Sequence, residues 1–207
     1  MAHPARDNRI SRRCWLVASM AIPLCRIHAE PSLAVTFDGD NLHVAAPGLH
    51  FLTGKPLSRL KDADTVTFLS QITLFSDNRG TIFRRGAPER LVVSYDLWEE
   101  RFAVTIPGLS KSRAHMTASE AETWAIDNLA ISALGLAPER PFWLQLELRA
   151  TSPKEISRVM GDSGISLSGL VEILSRKPGG DDPYWMRTAG PLRLSDLPRT
   201  IARGRIG

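Results

Sequence analysis

Alternation of apolar and polar residues predicts a mainly β chain with accessory helices. The expected class is α+β, built on an antiparallel β-sandwich of immunoglobulin-like or related topology. Three observations carry this. Between Thr65 and Ile106, three alternating runs and one shorter run stand almost end to end, separated by turn residues, as in a β-meander. A further run, Phe142 to Arg149, alternates leucines with polar residues. The helical period is clear over one longer stretch, near 118–134, and short helices are expected towards the C-terminus. A single sheet with helices on one face satisfies the same pattern, so the topology stays open.

The elements follow in order. Leu33, Val35 and Phe37 alternate with Ala34 and Thr36 as a first strand. Asp38-Gly39-Asp40-Asn41 supplies turn chemistry, and Leu42 to Ala45 returns as the hairpin partner. Leu57 to Asp64 allows one or two helical turns. In the next run, Val66, Phe68, Ile72 and Leu74 share one face, and the period of two predicts that one face is buried. Thr81 to Arg85 reads as a short polar edge strand. Leu91, Val93, Tyr95 and Leu97 form the next apolar face. Glu99-Glu100 is a tight reversal, and Phe102, Val104 and Ile106 follow.

The period then changes. Thr117 and Glu120 fit a capping box, in which the hydroxyl accepts from the third helical N–H and the carboxylate reaches back. Ala121, Ala125, Leu129 and Ala133 recur every four residues, and Gly135 stands where a C-terminal cap belongs. After the leucine strand, Ser152-Pro153-Lys154-Glu155 begins a short helix, and Leu167, Leu170, Val171 and Leu174 mark another. Beyond Asp181 the chain reads as a turn-rich tail.

The 207 residues suit one domain with a substantial core. The expected division is a leader at 1–29, a β-sandwich domain at 30–150, and a helical, turn-rich extension at 151–207 packed on that domain. The formal charge of +4 belongs to the leader. Residues 1–29 hold five arginines and one aspartate, which leaves 21 basic residues (26 less 5) and 21 acidic residues (22 less 1) elsewhere. A neutral body gives no footprint for nucleic acid.

The leader has the parts of an export signal. Arginines precede an apolar stretch from Cys14 to Cys25, and Ala29 occupies the small position before a cleavage site. The stretch falls short of the roughly 20 residues of an ordinary transmembrane helix. A membrane contact is therefore expected only through the leader, if it is not cleaved. Ser11-Arg12-Arg13-Cys14-Trp15-Leu16 resembles a twin-arginine signal, whose passengers cross already folded. Both cysteines, Cys14 and Cys25, lie in the leader. The mature chain is then cysteine-free and has no disulfide, thiolate nucleophile or cysteine metal ligand.

Motifs for chemistry fall short of their required spacing, and no catalytic, cofactor-binding or metal residue is assigned. Asp38, Asp40 and His43 lie close in sequence, but Leu42 stands where a Ca²⁺ loop needs another oxygen, and a turn accounts for both aspartates. Gly164-Ile165-Ser166-Leu167-Ser168 breaks the nucleophile-elbow pattern at its second glycine. Lys177-Pro178-Gly179-Gly180 lacks the Lys-Ser/Thr pair of a phosphate loop. Glu99-Glu100 in a tight turn does not face another carboxyl across a cleft. The histidines outside the leader, His43, His50 and His115, would form a site only if folding gathered them with carboxylates.

Tryptophans remain as candidates for recognition. Trp98 and Trp143 lie on faces opposite the apolar stripes of their strands, and Trp185 stands in the tail. Trp98, Trp143 and Trp185 are therefore the expected interaction surface.

The stretch Arg90-Leu91-Val92-Val93-Ser94-Tyr95-Asp96-Leu97-Trp98-Glu99-Glu100-Arg101-Phe102-Ala103-Val104 places a tyrosine-bearing strand, a charged turn and an Arg-aromatic-x-Val strand in sequence. A helix start with Thr117, Ser119 and Glu122 follows, then the leucine strand and a tail with Leu192-Arg193-Leu194. This order resembles a bacterial family of exported, β-rich domains of unknown function, over residues 33 to 197. The resemblance implies fold and location, and no site residues. The combined expectation is an exported, periplasmic or extracellular protein of the cell envelope. It would bind an unidentified envelope protein or component without being an enzyme. The alternative is an exported hydrolase or carbohydrate-active protein using carboxylates and histidine.

Overall fold

The computed structural model describes residues 33–78, 80–151, 160–161, 164–165, 167–175 and 183–200. The leader with both cysteines, the helix expected from Ser152, Ser166 and the Lys177–Gly180 stretch lie outside the described residues.

Strands β1 (Ala34–Phe37) and β2 (Asn41–Ala45) form the expected hairpin, followed by helix α1 (Gly54–Lys61). Strands β3 (Val66–Phe75), β4 (Ile82–Arg85), β5 (Glu89–Asp96) and β6 (Arg101–Ile106) make up the meander. Strand β7 (Lys111–Met116), helix α2 (Ala118–Asp127), strand β8 (Ala130–Ser132) and strand β9 (Phe142–Thr151) follow. Next come the short β10 (Met160–Gly161) and β11 (Gly164–Ile165), helix α3 (Leu167–Ser175) and strand β12 (Tyr184–Leu192).

Two antiparallel sheets pack together as a mainly β, α+β sandwich of unequal halves. The larger has seven strands, in the order β12-β9-β3-β5-β6-β7, with β4 also on β3. The smaller has the order β1-β2-β8. Between them lies one apolar cluster. It includes Val66, Phe68, Ile72 and Leu74 of β3, Leu42 and Val44 of β2, and Ala121, Ala125 and Ile126 of α2. Fully burying one such leucine or phenylalanine contributes about 1.5 to 3 kcal/mol, so the sandwich rests on apolar burial.

Four expectations are corrected. The first concerns β3, predicted to bury one face. All but its last residue are buried. β3 is central, paired with β9 on one edge and with β5 and then β4 on the other. Its second face, carrying Thr67, Leu69, Gln71 and Thr73, lies under further chain. Arg149, opposite Leu69 in register, donates from Nη1 to the carbonyl of Ile173 in α3 at 2.8 Å.

The second is the helix expected near 118–134, which ends at Asp127. The Asn128 side chain donates to the Trp124 carbonyl at 2.7 Å and ties off the last turn. The chain then becomes β8, pairing with β2. Leu129 and Ala133 do extend the four-residue stripe, but Leu129, Ile131 and Ala133 are also spaced by two, and all are buried. The strand uses the second period.

The third is the tail. Rather than being turn-rich, it supplies β12, paired with β9 from Tyr184↔Arg149 to Leu192↔Phe142. Pro191 obscures the strand in sequence, yet a proline lacking its N–H is tolerated on an edge strand. The fourth is β7, unpredicted because its first five residues are all exposed and so carry no apolar alternation. No helix among the described residues is long and apolar enough to cross a membrane.

Candidate functional site

The three candidate tryptophans do not share a surface. Trp185 lies opposite Leu148 on the core side of the large sheet. Its ring sits 6.3 Å from that of Phe51 and 6.1 Å from that of Phe68. It is partly buried and packs against the core cluster. Trp143 pairs with Phe75 on the second face and is half-buried. Its ring lies so close over Gly190 that a side chain there would collide with it. Trp98 is different. It lies beyond the end of β5, in the turn to β6, and is 96% exposed. Val66 and Phe75, the two ends of β3, pair with Val93 and Trp143. Trp98 and Trp143 therefore stand at opposite ends of the sheet.

The turn that carries Trp98 is built from its own residues. Asp96 Oδ1 accepts from the backbone N–H of Trp98 at 2.8 Å and from that of Glu99 at 3.0 Å. These two bonds hold the Asp96 carboxyl below the usual aspartate range, with nearby His115 adding to the effect. Glu100 adopts φ of +53°, which reverses the chain into β6. Beneath the turn, Tyr95 and Phe102 are cross-strand partners whose rings lie 4.8 Å apart.

A bulge in the neighbouring edge strand completes the site. Phe102 pairs with Met116 and Val104 with Arg113, so Ala103 of β6 faces both Ala114 and His115 of β7. The extra residue takes His115 to φ of +58°, a conformation that bulges accommodate. From there His115 Nδ1 donates to Glu99 Oε2 at 2.5 Å. Strand β7 thus braces the turn from the side. Asp96, Glu99, Arg101 and His115, with Tyr95 and Phe102 at the base, line a cavity of about 280 Å³. Its polar rim carries both signs of charge.

The other two histidines also pair with carboxylates, each in a different place. His43 Nε2 donates to Asp38 Oδ2 at 2.7 Å. Asp38 Oδ1 accepts from the N–H groups of Asp40 and Asn41 at 2.9 and 2.6 Å. The His43 bond and then those two backbone bonds push the Asp38 carboxyl well below its usual range. This is turn architecture. His50 Nδ1 donates to Glu122 Oε2 at 2.9 Å, and the other oxygen of Glu122 accepts from the Leu52 N–H at 2.7 Å. Glu122 is buried on α2 and anchors a loop whose Leu49, Phe51 and Leu52 enter the core. Among the described residues, no three His, Asp or Glu side chains gather closely enough to hold a metal ion.

A wider cavity, about 640 Å³, lies between Gly39-Asp40, the segment from Ser132 to Pro138, and Leu194 to Arg199. Two of its polar groups are used locally. Ser195 donates towards Glu139 and Asp196, and the Ser132 hydroxyl accepts from the Leu134 N–H.

Sequence reasoning named Trp98 and Glu99 but did not join them to His115, which bonds across 16 positions through an unpredicted bulge. Glu122 left a fainter signal. It is a carboxylate among Ala118, Ala121, Ala125 and Ile126 on one helical stripe, where a charge needs a partner. Comparison with protein-family models, curated proteins and solved structures found no match.

Proposed function

We propose that this chain is an exported, non-enzymatic binding domain of the bacterial cell envelope, and that it engages its partner through the Trp98 turn. The observation that carries the reading is the display of Trp98. A fully exposed tryptophan is set on a turn fixed by Asp96 and braced by His115. Rigid aromatic anchors contribute most of the binding energy in many interfaces, because little conformational freedom is lost on contact. Export rests on the arginine-led apolar leader.

An exported hydrolase would need histidine and carboxylates converging on one cleft. Among the described residues that convergence occurs once, where Asp96, Glu99 and His115 line the cavity at the Trp98 turn; there Asp96 Oδ1 is taken by two backbone N–H groups, while His43 and His50 pair with carboxylates elsewhere. Co-sedimentation with isolated bacterial envelopes tests the proposal. The wild-type protein and Trp143→Ala should sediment alike, and Trp98→Ala should lose at least tenfold in affinity. Equal sedimentation of all three would refute it. Location has its own test: replacing Arg12 and Arg13 by lysines should abolish export by a twin-arginine route, and unchanged export would remove that route.

A further inference from the structure

We infer that the Trp98 turn binds a neutral, hydroxyl-rich sugar chain, an assignment that rests on the binding reading above and names its ligand. Asp96 and Glu99 stand on the same rim as Arg101 and His115. An anionic ligand would meet the two carboxylates, and a cationic ligand would meet the Arg101 guanidinium. Like-charge juxtaposition of this kind suppresses binding of the wrong partner. A ligand that both donates and accepts hydrogen bonds without net charge matches the whole rim.

The aromatic residue narrows the class. Trp98 presents a flat, electron-rich face that is 96% exposed. A pyranose ring has one face of C–H groups, slightly positive, and an edge of hydroxyls. The C–H face suits the indole, while the hydroxyl edge reaches carboxylate acceptors and guanidinium or imidazole donors beside it. Glu99 takes Nδ1 of His115, so the second ring nitrogen, Nε2, remains for a ligand on a side chain that is 74% exposed. The cavity of about 280 Å³ is at the small end for ligand sites. It suits one ring of a chain; Trp98 follows in the same turn but does not line the cavity, and would meet a different ring.

Calorimetric titration of the purified protein with a β-1,4-linked N-acetylglucosamine hexamer and with maltohexaose tests this. At least one should bind with submillimolar Kd. Trp98→Ala should weaken that binding at least tenfold and Trp98→Phe less, with circular dichroism spectra unchanged. A hyaluronan oligosaccharide, which is anionic, should bind more weakly than the neutral chain. The inference is overturned if neither neutral sugar binds at millimolar concentration, if Trp98→Ala binds as tightly as wild type, or if the anionic chain binds best. Loss of envelope sedimentation in Trp98→Ala with both neutral sugars silent would leave the binding reading standing and remove the sugar assignment.

Discussion

Two histidine–carboxylate pairs use the same chemistry in opposite settings. His50–Glu122 joins a loop to α2, and its carboxylate is 6% exposed. His115–Glu99 joins β7 to the Trp98 turn, and its carboxylate is 52% exposed. The buried carboxylate is committed: one oxygen holds His50 and the other holds a backbone N–H that water does not reach. The exposed carboxylate holds His115 while remaining open to solvent. Burial, and not residue identity, separates a strut from a surface that can receive a ligand.

The largest expected effect lies in the core. Phe68→Ala removes a fully buried ring packed 4.9 Å from Phe51. Urea unfolding should register a loss of about 3 to 5 kcal/mol. A near-neutral result would mean that the two sheets do not share this core. Next in size is Glu122→Ala, which leaves the Leu52 N–H without its acceptor and should cost about 1 to 3 kcal/mol by the same measurement. A loss of the same size from Glu99→Gln would erase the distinction between strut and surface.

The Asp38 turn comes below these. Its carboxyl is depressed in the folded state, so the stability it adds is fully present above the ordinary aspartate value, about 3.9. That stability is lost as pH falls through the depressed folded value. Asp38→Asn should therefore lower stability at neutral pH and flatten the decline in acid. Equal acid slopes for the two proteins would show that the pairing with His43 is not made in solution. The smallest stability effect belongs to Glu99→Gln. Exposed ion pairs are worth less than about 1 kcal/mol, so its melting temperature should stay close to that of wild type while envelope binding falls.

The fold was legible wherever one physical signal dominated. Alternation located β5, β6 and β9, and the capping box at Thr117 and Glu120 is present as expected. Legibility failed where two periods overlapped, as at Leu129, Ile131 and Ala133, and where an edge strand needed no apolar face, as in β7. Strand β12 was hidden for a related reason. Placed at the edge of the sheet, it tolerates Pro191 and leaves Tyr184 and Met186 exposed. Of the candidate site, the sequence exposed its aromatic residue but not its frame. Tyr95 and Phe102 meet through strand register, and His115 reaches Glu99 through a bulge. Neither relation has a local signature. The packing of Trp185 near Phe51 and Phe68 was not legible, because a tryptophan in a tail reads the same whether it faces solvent or a core.

The central claim is that the Trp98 turn is the surface of contact. The indole N–H signals of the tryptophans, assigned by substitution and followed by NMR during titration with a soluble envelope digest, test it most directly. The account predicts that the Trp98 signal shifts or broadens first, while those of Trp143 and Trp185 hold their positions. Perturbation confined to Trp143 or Trp185, or none at any tryptophan under conditions where the protein is bound, would contradict it.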